Sequence, residues 1–161
     1  MQETIQSLVQ RECRLLDEGR LDDWLQLYAQ DATYWVPIDE NADPLKESSV
    51  IFDDHLRLAM RVEQIMRQKR VSQTPGSQSM RMVSNLEVTD LGDGQAQARY
   101  AMAVFEVRSG DWRQQGLGQT RIFPGHCTMR FRQHEGDWKI TNKTLVLLNR
   151  KQPIVGLSFI L

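Results

Sequence analysis

At 161 residues, 40% hydrophobic and 25% charged, the chain has the size and composition of one globular domain whose core needs no staple. Its 20 basic and 21 acidic side chains leave a formal net charge of -1, which argues against a nucleic-acid partner, normally met by a basic excess. Cys13 and Cys127 make no disulfide framework, and with no apolar run of membrane-spanning length and no signal-peptide core in MQETIQSLVQRE, the expected setting is a reducing cytoplasm without a membrane partner.

The first segment predicts a helix. Ile5, Leu8, Val9, Glu12, Leu15 and Leu16 recur at spacings of three and four, all apolar except Glu12, and Gly19 is its stop. A short second helix from Leu21 turns Trp24, Leu25 and Tyr28 inward. The period then changes: Thr33-Tyr34-Trp35-Val36 is a β-rich run that Pro37 terminates or places at a sheet edge. Residues 39–49 are polar and read as a loop. A longer helix is predicted over residues 50–68, with Ile51, His55, Leu58, Ala59, Val62, Ile65 and Met66 on its inner stripe. Lys69 to Ser79, around Pro75-Gly76, predicts a turn-rich connection.

The rest is strand. Met82, Ser84, Leu86 and Val88 alternate with Arg81, Val83, Asn85 and Glu87, and the turn LGDG follows. A long strand over residues 95–107 ends at a reversal at Ser109-Gly110-Asp111. A third runs over residues 116–132, with Pro124-Gly125 bending or bulging it. After the tight turn Glu135-Gly136-Asp137, Trp138 to Leu148 forms the fourth. The order predicts an α+β fold: a strongly curved mixed or antiparallel sheet, with the N-terminal and crossing helices closing a cone. It forms a single domain over 1–161, including an apolar tail at 156–161. Neither a βαβ repeat nor a glycine-rich phosphate loop is present, which argues against dinucleotide-binding and P-loop folds.

Several blocks in this order carry a resemblance: RECRLLDEGRLDDWLQLYAQDATYWVP, SSVIFDDHLRLAMRVEQI, RMVSNLEVTD and GDWKITNKTLVLLNR with its hydrophobic tail. Together they resemble the β (small) subunit family of aromatic-ring-hydroxylating dioxygenases over nearly the whole chain. The first block alone resembles the wider nuclear-transport-factor-2-like, cystatin-like superfamily, whose fold hosts isomerases, dehydratases and binding proteins and assigns no function by itself. Two departures stand out: SQSMRMVSN keeps Arg81 without the richer arginine cluster common in the family, and Lys143 stands where arginine is common. The resemblance implies an α3β3 assembly with trimeric contacts between β subunits. It implies a large catalytic α subunit holding a Rieske [2Fe-2S] cluster and mononuclear non-haem iron, which dihydroxylates an aromatic substrate. NAD(P)H would supply electrons through a separate reductase, in some systems with a ferredoxin. The small subunit is implied to be structural, with no cofactor or metal of its own, and in some relatives it influences substrate preference.

The residues themselves agree with that division. A Rieske centre takes two cysteines and two histidines in close pairs, whereas Cys13 and Cys127 lie more than a hundred residues apart. A mononuclear non-haem iron site takes two histidines and a carboxylate, and only His55, His126 and His134 are present. Asp53-Asp54-His55 is the one cluster suggesting a metal, but adjacent helical residues point apart, and capping of a helix by an aspartate is the expected role. The rival function is a stand-alone isomerase- or dehydratase-like pocket enzyme, with Asp31 and Tyr34 or Asp54 and His55 as acid/base pairs. A non-enzymatic small-ligand-binding protein of the same fold is the third reading. For an assembly role, Arg81, Arg99, Arg121 and Arg130 offer donor forks to another chain, and Trp112, Phe159 and Leu161 offer apolar anchors. The tail, with Leu157, Phe159, Ile160 and Leu161, is expected to cross the sheet or enter a neighbouring chain.

Overall fold

The computed structural model describes residues 1–67, 76–108, 113 and 118–161. Helix α1 (Gln2–Asp17) buries Ile5, Val9, Glu12, Leu15 and Leu16 of the predicted stripe and adds Cys13, while Leu8 is only partly buried. It ends as expected: Gly19 takes φ 69°, and the Gly19 and Arg20 amides donate to the Leu16 and Leu15 carbonyls. That reciprocal pair satisfies two carbonyls the helix would otherwise leave open. Helix α2 (Leu21–Leu25) then delivers Trp24 to the core and leads into strand β1 (Tyr28–Pro37).

The predicted helix over 50–68 is corrected. Residues Ser49–Asp54 form strand β2, paired antiparallel with β1, and only His55–Arg67 are helical (α3). The β-branched and aromatic run Val50-Ile51-Phe52 fits a pleated edge, and the Asp54 carboxylate accepts the Arg57 amide at 2.8 Å to start the helix. Consequently Ile51 belongs to the strand's inner face, while Leu58 and Val62 are the buried residues of α3 and Met66 is exposed.

Strands β3 (Gln78–Gly92), β4 (Gln95–Val107), β5 (Arg121–His134) and β6 (Asp137–Leu147) complete a sheet of order β2-β1-β6-β5-β4-β3. All pairings are antiparallel except β1 with β6, so the sheet is mixed. The reversals Asp93-Gly94 and Glu135-Gly136 are two-residue turns with positive φ at both positions, as tight hairpins require. The reversal predicted at Ser109-Gly110-Asp111 and most of the connection before Gln78 lie outside the described residues.

Bulges revise two readings within the sheet. In β3, Asn85 (φ 54°) and Leu86 together face one residue of β4, so the inward phase passes from Arg81 and Val83 to Leu86 and Val88. The uninterrupted alternation predicted there therefore breaks, because an extra residue inverts every side chain beyond it. Pro124-Gly125 does not bulge β5, whose register with β4 runs straight through both residues. Gly125 is instead a close approach: a Cβ there would stand 2.5 Å from the Val146 carbonyl oxygen.

Helix α1 packs on β3 and β4, and α3 on β1 and β2, so both helices close the same face of the sheet. Between them lie Tyr28, Tyr34, Tyr100, Met129, Phe131, Ile140 and Leu145, all buried. Among the described residues no helix is long and apolar enough to cross a membrane.

Candidate functional site

The inner face of the sheet holds a polar network at the centre of the apolar core. Glu12, delivered from α1, and Lys143, from β6, are both 0% exposed. Lys143 Nζ donates to Glu12 Oε1 at 2.8 Å, joined by Trp24 Nε1 at 2.9 Å and Tyr28 Oη at 3.2 Å. A buried charge is tolerable only when paired and hydrogen-bonded, and this carboxylate has three donors on one oxygen. Burial pushes the Glu12 carboxyl up, but the Lys143 ammonium, these hydrogen bonds and the Arg81 charge outweigh it and hold it below its ordinary value. Burial likewise pulls Lys143 down, and Glu12 outweighs it, keeping the ammonium above its usual range. Both directions describe a charged pair. Burial also raises the Tyr34 phenol and the Cys13 thiol to about 12 each, and the Cys127 thiol to about 11, so the cysteines are inert thiols.

The C-terminal tail completes the network from inside. Tyr34 Oη donates to the Leu161 main-chain oxygen at 2.6 Å, and Lys143 Nζ reaches the same oxygen at 3.3 Å. Arg81 Nη2 donates to the Ile160 carbonyl, while Nη1 pairs with Asp17 Oδ1 at 2.5 Å. A second buried carboxylate, Glu106, accepts from Arg121 Nε at 2.8 Å and Ser77 Oγ at 2.7 Å. The same guanidinium donates to the Val155 and Gly156 carbonyls at 2.5 and 3.1 Å and lies 5.3 Å from the Phe123 ring. Phe159 packs on Phe123 with ring centroids 5.6 Å apart.

These contacts relocate several predicted residues. Arg81 and Arg121, expected between chains, bind the chain's own tail, Arg81 at the buried Ile160 carbonyl and Arg121 at the exposed Val155 and Gly156 carbonyls, each guanidinium also held by a carboxylate. Phe159 and Leu161 are 8% and 0% exposed within the chain's own core rather than presented to another. Of the two expected routes for the tail, it takes the one across the sheet. Arg99 and Arg130 are exposed on the outer face of β4 and β5, and Trp112 lies outside the described residues.

The acid/base pairs do not assemble. Asp31 is exposed and held by Arg132 through bonds of 3.0 and 2.8 Å, while Tyr34 points inward to the tail. Asp54 caps α3; His55, its first residue, lines an open surface hollow of about 680 Å3 together with Asp31, Arg132 and His134. Among the described residues no three His, Cys, Asp or Glu side chains gather as metal ligands do. Sequence reasoning missed Glu12, Lys143, Asp17 and Glu106 as a set. The available signal was a lone glutamate on an apolar helical stripe and a lysine in a strand, each needing a buried partner.

A model of the family described as "Ring hydroxylating beta subunit" matches residues 11–152. The chain is 31% identical over 104 residues to the toluate 1,2-dioxygenase subunit beta of Pseudomonas putida, covering 61% of this chain and 64% of that one. It is 27% identical over 161 residues to the small oxygenase component of the p-cumate 2,3-dioxygenase system of Pseudomonas putida, covering 98% and 85%. The crystal structure of the benzoate 1,2-dioxygenase beta subunit of Burkholderia mallei superposes with a TM-score of 0.73 at 22% identity, covering 97% and 95%.

Proposed function

The chain belongs to the ring-hydroxylating dioxygenase β-subunit family, and from that premise we propose that it is the structural small subunit of a terminal oxygenase. Its large α partner would carry the Rieske [2Fe-2S] cluster and the mononuclear iron, and would dihydroxylate the aromatic substrate with electrons from NAD(P)H through a reductase. The proposed particle is a cytoplasmic α3β3 in which β subunits meet around the symmetry axis. Most of the substrate selectivity would reside in the large subunit.

One observation carries the reading: the outer face of the sheet bears an apolar strip. Met80, Met82, Ile122 and Leu148 are 54, 59, 51 and 64% exposed. They are contiguous, since Met80 neighbours Phe105 and Phe105 neighbours Ile122, while Met82, Ala103 and Pro124 form the next row. The Leu148 amide donates to the Pro124 carbonyl, extending the strip to the end of β6. A contiguous apolar strip across four strands is a surface built to be covered. Arg99 and Arg130 share that outer face and supply donor forks beside it.

The inside of the fold supports the same reading over a stand-alone enzyme. Glu12, Lys143 and Tyr34 are spent on each other and on the tail, and Asp31 and Asp54 are committed to Arg132 and a helix cap. Neither acid/base pair weighed for a stand-alone enzyme, Asp31 with Tyr34 or Asp54 with His55, is brought together over a shared pocket.

Native mass spectrometry of the tagged chain, isolated from its source cells under protection from oxygen, tests this directly. The expected particle holds equal copies of this chain and a large iron–sulfur subunit. A homodimer with no large partner sinks the proposal and returns Asp31, Asp54 and His55 to the front of the mutational list.

A further inference from the structure

The tail is held as a ligand is held. Residues from 151 onward enter no helix or strand, yet the main-chain oxygens of the last two meet buried donors from three separate strands. Two of those donors are fixed by groups outside the tail. Lys143 is anchored by Glu12 at 2.8 Å, and Arg81 by Asp17 at 2.5 Å and by Ser79 at 3.0 Å. Their positions therefore do not depend on the tail being there. Arg81 Nε is buried and has no hydrogen-bond partner among the described residues, a donor the tail leaves unused. Charge is balanced within each pair, Lys143 with Glu12 and Arg81 with Asp17. Such a site suits main-chain oxygens carried on an apolar body. Phe123, against Phe159, supplies an apolar wall.

We propose that the inner face of the sheet carries a preformed slot for a short apolar peptide, and that residues 157–161 occupy it as a ligand built into the chain. The slot reads two main-chain oxygens through Arg81, Tyr34 and Lys143 and takes apolar side chains beside them. The preceding segment, gripped by Arg121 at Val155 and Gly156, is the tether. This holds whether or not a large subunit sits on the outer face, so the two proposals fail separately.

The test starts from the full chain, folded with a protease site inserted between the exposed residues Gln152 and Pro153 and then cut. The fragment 153–161 stays bound, and exchanges with a labelled synthetic peptide PIVGLSFIL added in excess. Tyr34→Phe weakens binding of that peptide about 5-fold, the worth of one ordinary hydrogen bond. In the cut protein freed of peptide the same substitution costs no stability, because among the described residues the Tyr34 hydroxyl bonds only the tail. Cut protein that loses its fragment and takes up no labelled peptide, folded or unfolded, overturns the proposal. So does a Tyr34→Phe protein that binds the peptide unchanged.

Discussion

Glu12 and Lys143 set the terms at the scale of single residues. Removing one partner strands the other charge in the core, so Lys143→Met should cost about 3–5 kcal/mol. Replacing both, as in Glu12→Leu with Lys143→Met, should recover most of that loss, because an apolar pair of similar volume needs no desolvated charge. Urea titrations of the three variants measure the difference. The pair also fixes a pH window. Glu12 is depressed from 4.5, so its contribution is present above that value and lost as pH falls through the lower folded value. Lys143 is raised from 10.5, so its contribution is complete below that value and lost as pH rises through the higher folded one. Tyr34, raised from 10.0 to about 12, adds to the alkaline loss. Cys13 and Cys127, both raised from 9.0, begin that loss earlier. Stability is thus expected to be flat only between 4.5 and 9.0, and Glu12→Gln should shrink the acid limb that wild type shows in pH-dependent melts. The pairing was not legible beforehand: each residue stood out in its own neighbourhood, but Glu12 and Lys143 are 131 positions apart and nothing local joins them.

Elements were legible where their signal is local. The α1 stripe, the Gly19 stop, the turn at Glu135-Gly136 and the long strands β4 and β6 follow from periodicity and turn chemistry within a few residues. The boundary between β2 and α3 was not, because a short apolar run such as Val50-Ile51-Phe52 fits either a strand or one turn of helix. Only its partner, β1, decides the matter. Asp54 marks the true start of the helix, and Asp54→Ala should cost about 1 kcal/mol in thermal or urea unfolding. Gly125 shows the same dependence on a neighbour: its proline context suggested a bulge, while the structure demands an absent side chain. Gly125→Ala should destabilise by about 1–3 kcal/mol, since the obstructing atom belongs to the β6 backbone and cannot swing away.

For the molecule as a whole, the α+β class predicted from sequence holds, with β1 and β2 set before α3, and so does the family resemblance. The direction in which the arginines act did not follow from sequence: Arg81 and Arg121 turn inward to the tail, leaving Arg99 and Arg130 beside the apolar strip. Met82→Asp with Ile122→Asp is expected to leave the circular dichroism spectrum of the chain unchanged while abolishing its recovery with a large subunit. If the complex survives both substitutions, the strip is not its seat.

The parallel pairing of β1 with β6 has a consequence in time. Tyr34 lies beside Lys143, so the strand between β2 and β6 stays open on one side until the last third of the chain is available. Contacts of such long sequence separation bear their loop-closure entropy before any packing rewards it, which places folding in the slow, millisecond-to-second class. During synthesis, the first two strands would wait as an unpaired hairpin with one edge bare. Ribosome-bound fragments ending before residue 137 should therefore be readily cut by protease, and protection should rise steeply once β6 has emerged.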